Sequence, residues 1–303
     1  MRICSIGECM IELSNIDENT YKLSYAGDTA NSAIYLSRLG AKSSYITSVG
    51  NDLLSKKMVN FLKKEKVNTD NIHYNKNKTI GLYVIKNNTK GERNFFYWRS
   101  DSAAKSLFQN INLNILFNKL SQYEAIYFSG ITLSIYDQKS INRFYKLLRL
   151  LKKIGIKIYF DFNVRIKNWS NKKNAQESII KFSQISDIIF MTTEDLKNLG
   201  LKKSKYITPI NTKNKIIVFR SGNGNINIYN KNKIEKYKFY LNKNVRDTTG
   251  CGDAFNACFL FNYFKNKKIE ECLKLAHNLG KTVANFKGAI IHKDYFKVKN
   301  YVK

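Results

Sequence analysis

The chain has 303 residues, of which 43% are hydrophobic; that is long enough to bury a large core and too apolar for wholesale disorder. Its net charge of +29 invites a nucleic-acid reading. However, the lysines are spread among abundant Asn, Ile and Tyr rather than gathered in one basic segment, so nucleic acid is not the expected partner and the positive field favours small anionic ligands.

In chain order, Arg2–Gly7 reads as a strand, short and β-rich. Gly7, Glu8 and Glu12 come too early for a signal peptide, and no apolar run approaches the roughly 18 residues of a membrane span; no membrane partner and a cytoplasmic location are expected. Residues 10–25 read as a hairpin about the polar turn Asn15–Asn19. Asp28–Leu39 follows as a helix with Ala30, Ala33 and Ile34 on one face. Asp28 there is a natural N-cap, while Asn31 falls one turn inside. Tyr45–Val49 reads as a strand and Asp52–Lys64 as an amphipathic helix. Residues 81–98 form a second hairpin about Asn87–Gly91, with Phe95, Tyr97 and Arg99 alternating onto one face and Phe96 and Trp98 onto the other.

Strands are predicted at Ala125–Ser129, Ile156–Phe162, Asp187–Met191 and Lys215–Phe219, with a helix over Asp137–Lys153. Strand–helix alternation predicts an α/β fold in which helices cover both faces of a mainly parallel sheet. Such sheets bind ligands beyond the carboxyl ends of their strands. The two hairpins, about 10–25 and 81–99, predict a small β-sheet lid on a single domain spanning 1–303.

Several constellations sit at those strand ends. If Asp161-Phe-Asn-Val-Arg165 stays extended, Asp161, Asn163 and Arg165 share one face; a polar surface loop is the alternative. Arg99 beside Tyr97 can hold a carboxylate by a bidentate contact and a hydroxyl donor, or be an edge charge next to lid packing. Arg220-Ser-Gly222 can approach phosphates or be a plain turn. Thr192-Thr-Glu-Asp195 offers carboxylates near a metal. Asp247-Thr-Thr-Gly-Cys-Gly-Asp-Ala-Phe255 places two glycines and an acid at the start of an apolar helix. Glycine lets the backbone approach a ligand, free helix N–H groups suit a phosphate, and Asp253 stands where it can take a proton from an attacking hydroxyl. An ordinary capped glycine loop is the alternative. Five cysteines without a Cys-x-x-Cys pair and three scattered histidines give neither a disulfide framework nor a zinc site. Walker A and G-x-G-x-x-G motifs are both absent.

Together these residues resemble the phosphofructokinase-B/ribokinase family of sugar kinases. Asp247-Thr-Thr-Gly-Cys-Gly-Asp253 is similar to the family's Asp-Thr-x-Gly-Ala-Gly-Asp signature, with Cys251 in place of the usual Ala. Ile6-Gly-Glu-Cys-Met-Ile-Glu-Leu-Ser14, Gly27-Asp-Thr-x-Asn31, Gly91-Glu-Arg93, Phe96-Tyr-Trp-Arg99, Ser129-Gly-Ile131 and Gly288-Ala-Ile-Ile291 resemble a branch acting on a keto-deoxy sugar acid, and the likeness runs in order from residue 3 to about 292. The resemblance implies a ribokinase-like three-layer α/β/α fold, a lid that joins subunits into a homo-oligomer, ATP with Mg²⁺, and phosphorylation of a primary hydroxyl. It implies Asp253 as general base and the N–H groups of Gly250, Cys251 and Gly252 as the anion hole. Gly27, Asn31, Tyr83, Tyr97, Arg99 and Arg165 would bind the sugar acid, Asn163, Arg220 and Gly222 would line the nucleotide side with Gly250 and Gly252, and Asp195 would contact the metal indirectly. A neutral sugar in place of the acid, or a degenerate kinase that binds nucleic acid, are the rival readings. Ala26 and Val164 depart from the Gly and Tyr common in relatives, and the family's Asn-x-x-Glu element is reduced to Thr192-Thr-Glu-Asp195.

Overall fold

The chain begins with β1 (Arg2–Ile6), whose last four residues are all buried, as expected of a strand with helices on both faces. The structure, a computed structural model, describes residues 1–17, 19–87, 93–202, 215–231, 233–241 and 245–302. After β1 come β2 (Met10–Asn15) and β3 (Tyr21–Ala26), the helix Asp28–Arg38, then β4 (Lys42–Ile46), β5 (Ser48–Gly50), the helix Leu53–Lys64 and β6 (His73–Asn75). Next are β7 (Leu82–Asn87), β8 (Arg93–Trp98), β9 (Ala125–Ser129), β10 (Lys157–Asp161), β11 (Ile188–Thr192) and β12 (Ile216–Arg220). β13 (Asn225–Asn230) and β14 (Lys233–Lys238) complete the strands.

The main sheet has eight strands in the order β14-β13-β12-β11-β10-β9-β1-β4. Pairing is parallel from β4 through to β12, and only the β12–β13 and β13–β14 pairings are antiparallel. Strand order reverses at β1, which has β4 on one side and β9 on the other, so a crevice opens beyond their carboxyl ends. One face of the sheet packs Cys4, Ile126, Phe128 and Phe160 against Phe144, Leu148 and Phe182 from the helices Gln138–Lys153 and Lys172–Ile185. The other packs Ile3, Tyr127 and Phe190 against Tyr35, Phe259 and Leu279. Three layers result. The helix Cys251–Phe264, with ten of its residues buried, is apolar nearly all round because the helices Asp28–Arg38 and Ile269–Ala284 flank it against the sheet.

The two predicted hairpins form, and they merge. β2 pairs antiparallel with β3 and β7 with β8, while β2 and β7 run parallel, giving one four-stranded sheet ordered β3-β2-β7-β8. Its register sets Tyr83 opposite Tyr97 and Ile85 opposite Phe95 on one face, with Phe96 and Trp98 on the other. Residues 88–91 of the expected turn lie outside the described residues, as does Glu92 of the Gly91-Glu-Arg93 stretch.

Other expectations need correction. Tyr45–Val49 is not one strand; β4 ends at Ile46, and Ser48–Gly50 leaves the main sheet to pair with β6. Asp52 and Asp137 stand just outside their helices as N-caps, accepting from the N–H groups of Ser55 at 2.9 Å and Ser140 at 2.7 Å. Asp28 is not the cap of its helix. Gly27 holds that position, and Asp28 is the first helical residue.

Candidate active site

The helix Cys251–Phe264 starts from Gly250, whose φ of +74° is left-handed. A Cβ there would sit 2.6 Å from the Ala289 carbonyl oxygen, so the turn requires glycine. Asp247 fastens the same loop from behind: its carboxylate accepts from the N–H of Thr249 and from that of Gly288, both at 2.7 Å. The Cys251 N–H donates to the Thr248 carbonyl at 3.2 Å. Those of Gly250 and Gly252 have no acceptor among the described residues. The anion hole expected of three consecutive N–H groups therefore has two donors free and one turned back into the loop. The Cys251 thiol is itself partly buried, and burial together with Asp247 and Asp253 raises its pKa to about 12. It is a protonated, unreactive side chain.

Asp253 is the third residue of this helix and is buried. Its Oδ2 accepts from Asn31 Nδ2 at 2.8 Å, and Asn31 Oδ1 takes the N–H of Gly27 at 3.4 Å. Burial, and then the charge of Asp28, raise the Asp253 pKa to about 7, against the opposing pull of Asn31, Arg220 and Arg165. A carboxylate so placed is half deprotonated near neutrality, the condition a general base needs. Gly27 is extended at φ 179°; a Cβ on it would collide with the Glu8 carbonyl oxygen, so this glycine permits close packing rather than a special backbone angle.

Arg220 closes β12 and lies along the start of the Asp253 helix. Its guanidinium stacks over the Phe255 ring at 4.8 Å, and both terminal nitrogens stand 3.6 Å from where a Cβ on Gly252 would be. Its Nε is buried without a partner among the described residues. Gly222, with φ +78°, has open space where a side chain would go, which suits a loop edge beside a ligand.

The run after β10 does not stay extended, correcting the expectation that Asp161, Asn163 and Arg165 share a face. Asn163 takes φ +32°, a conformation rare outside glycine, and its Nδ2 donates to Asp28 Oδ2 at 2.9 Å. Asp161 is buried at the strand end. Arg165 is exposed beyond the turn, and its charge bears on both Asp253 and Tyr97. Three residues read as one row are thus dealt to three places around the crevice.

Asp195, expected to contact the metal indirectly, has both carboxylate oxygens bound within the fold. Its Oδ2 accepts from the N–H and hydroxyl of Thr192 at 2.8 and 2.7 Å in a capping box, and its Oδ1 accepts from the Val164 N–H at 2.8 Å. In the lid, the Tyr83 hydroxyl donates to Glu12 Oε2, and the Tyr83 ring lies 5.8 Å from that of Tyr97, which is 53% exposed. Arg99 pairs with Glu8. Sequence reasoning placed Asp161 in a strand-end constellation without giving it a role, read Asp28 as a cap, and passed over Glu8 as a site residue. The available signal was their position: each lies at, or within two residues of, a carboxyl-end strand terminus or helix start.

The arrangement sets a base of raised proton affinity beside free helix N–H groups and a guanidinium, with a lid of tyrosines and arginine opposite. It can deprotonate a hydroxyl and stabilise a phosphoryl group in transfer. Comparison with known proteins agrees. The chain is 34% identical over 303 residues to a 2-dehydro-3-deoxygluconokinase of Haemophilus influenzae, covering 96% of each. It is 32% identical to one of Dickeya dadantii, covering 95% of this chain and 96% of that one. The solved 2-dehydro-3-deoxygluconokinase of Thermotoga maritima superimposes with a TM-score of 0.84 at 19% identity, over 99% of this chain and 98% of its own. Residues 1–294 match the pfkB family of carbohydrate kinases, and with the site built as described, the chain belongs to that family.

Proposed function

We propose that this carbohydrate kinase transfers the terminal phosphoryl group of ATP to the primary hydroxyl of 2-dehydro-3-deoxy-D-gluconate. The observation that carries the reading is Asp253, buried, raised to about 7 and held by Asn31 at the mouth of a helix with two free N–H groups. In the reaction Asp253 takes the hydroxyl proton, the new O–P bond forms and the bond to ADP breaks. The Gly250 and Gly252 N–H groups and Arg220 face the developing charge. Gly222 and Asn163 line the nucleotide side. Arg165, Arg99 and Tyr97 meet the sugar acid, and the curated relatives at 34 and 32% identity support the choice of acid over neutral sugar.

Mg²⁺ accompanies ATP in this chemistry and offsets charge on its phosphates. Among the described residues no three His, Cys, Asp or Glu side chains gather to hold a bare ion, but Mg²⁺ commonly keeps its waters and takes one or two carboxylates with substrate phosphates. Asp161 fits that role. Its carboxylate has no hydrogen-bond partner among the described residues, and burial, with Asp195, Asp253 and Asp28 nearby, raises its pKa well above the ordinary carboxylate range despite Arg220. A cation at this edge would relieve the crowding of acids.

We further read the exposed side of the lid as the contact between subunits. Leu23, Phe96 and Trp98 are 46, 49 and 61% exposed there. No helix of the described residues is long and apolar enough to cross a membrane, and all five cysteines are unpaired, which suits the cytoplasm.

The deciding experiment is Asp253→Asn assayed with 2-dehydro-3-deoxygluconate and ATP. We expect both ligands to bind as before and kcat to fall roughly 10²–10⁴-fold; a near-normal kcat refutes the reading. Fructose and ribose in the same assay separate the acid from a neutral substrate.

A further inference from the structure

Arg99 does not stand free at the edge of the crevice. It follows the last lid strand, and its Nη2 donates to Oε2 of Glu8. Glu8 lies just beyond β1, where the strand order of the main sheet reverses between β9 and β4, so this contact ties lid to floor. The Glu8 side chain is 2% exposed and that of Arg99 13%. The other Glu8 oxygen, Oε1, is buried with no hydrogen-bond partner among the described residues. Gly81 packs onto it, at a point where a Cβ would stand 2.9 Å away. The Tyr136 hydroxyl is also buried and unpartnered, and the Glu8 charge adds to burial in raising its pKa, yet it offers Glu8 no hydrogen bond.

As a stabilising device this is poorly made. Two charges are desolvated for a single contact and one acceptor is left empty, an arrangement that apolar residues would often better. Its merit lies in orientation. A guanidinium is a rigid planar fork of donors, and Glu8 holds it by one corner. The remaining nitrogens of Arg99 have no hydrogen-bond partner among the described residues, and none of them is buried without one, so they are open to a further acceptor. The Arg99 and Arg165 charges both act on the hydroxyl of Tyr97, so a second donor and a second cation belong to the same neighbourhood.

We propose that Glu8 is the positioning residue for substrate-carboxylate recognition: it pins Arg99 so that the free edge of the guanidinium, beside Tyr97, receives the carboxylate of the sugar acid. The inference rests on the sugar-acid reading above. Glu8 touches neither the phosphoryl group nor the base, so its influence falls on acid binding and not on the transfer step.

The test is a double-mutant cycle of Glu8→Gln and Arg99→Ala on the full chain, with kcat and KM for 2-dehydro-3-deoxygluconate and for ATP. Glu8→Gln keeps the size of the side chain and removes its charge. The expected result is a KM for the acid raised about tenfold or more, the scale of one charge-assisted hydrogen bond, with kcat within a few-fold and KM for ATP unmoved. In the Arg99→Ala background the same change should add nothing. A loss confined to kcat, an equal loss in ATP KM, or an undiminished effect without Arg99 would each overturn the proposal. Should Glu8→Gln fold poorly, Arg99→Lys serves instead: it keeps the charge opposite Glu8 but lacks the fork, and full retention of acid affinity there also overturns it. Wild-type protein that ignores the acid and phosphorylates fructose defeats the substrate reading itself, an outcome distinct from failure of the cycle.

Discussion

Asp253 gains its proton affinity from where it is buried, and that has a consequence for folding. The ordinary carboxylate value is 3.8 and the folded value about 7, so within that window the folded protein holds a proton the unfolded chain has released. Stability from this group therefore declines as pH rises from about 4 to 7 and stays lost above. Asp253→Asn should accordingly be more stable than wild type at pH 8, by up to roughly 4 kcal/mol, and melt at a higher temperature there, while the gap narrows toward pH 4; thermal scans at the two pH values check it. In activity the sign is opposite, because the base works unprotonated: kcat/KM should climb with pH and level off above about 7. Asp28→Asn removes the charge that most raises Asp253 after burial, and its pH–rate profile should shift to lower pH. At this scale the sequence put Asp253 behind two glycines at the start of an apolar helix, and the structure buries it there as the third helical residue. It could not show Asp28 as anything but a cap. The carboxylate is diverted to Asn163 across 135 residues, and such a partner is invisible to local pattern.

Elements were legible where periodicity is strong. Ala125–Ser129 was read to the residue, and the helix of residues 138–153 to within one. Legibility failed where a single backbone angle decides the outcome. Nothing in Asp161-Phe-Asn-Val-Arg165 announces φ +32° at Asn163, although Asn is among the residues that tolerate it. The antiparallel edge was also missed, because β14, Lys-Ile-Glu-Lys-Tyr-Lys, is mostly exposed and carries no buried stripe. The glycine at the head of the helix bearing Asp253 gives the sharpest test at this scale. Gly250→Ala combines a left-handed φ with a clash at 2.6 Å against Ala289, and we expect about 1–3 kcal/mol of destabilisation together with loss of phosphoryl transfer. Gly222→Ala, strained in φ alone, with nothing within 4 Å, should cost less stability. Denaturant titration of the pair ranks them.

For the whole molecule, the lid is the part whose state depends on company. Trp98→Lys, at 61% exposure, should dissociate the assembly if the lid joins subunits, and light scattering of wild type and variant reads the mass directly. A lid that remains monomeric in both removes that proposal. The net charge of +29 predicts a second whole-molecule effect: KM for anionic substrates should rise with ionic strength as the attracting field is screened. Asn31 and Asp253, whose side chains meet at 2.8 Å, lie 222 residues apart, and the loop bearing Asp253 leans on Gly288 and Ala289. On the ribosome, then, the first four-fifths of the polypeptide emerges carrying Asn31 but not the acid its side chain holds. Competence arrives late and all at once, when the closing helix is threaded between its neighbours, so a chain cut short before residue 288 should be inert however much of the sheet it manages to form.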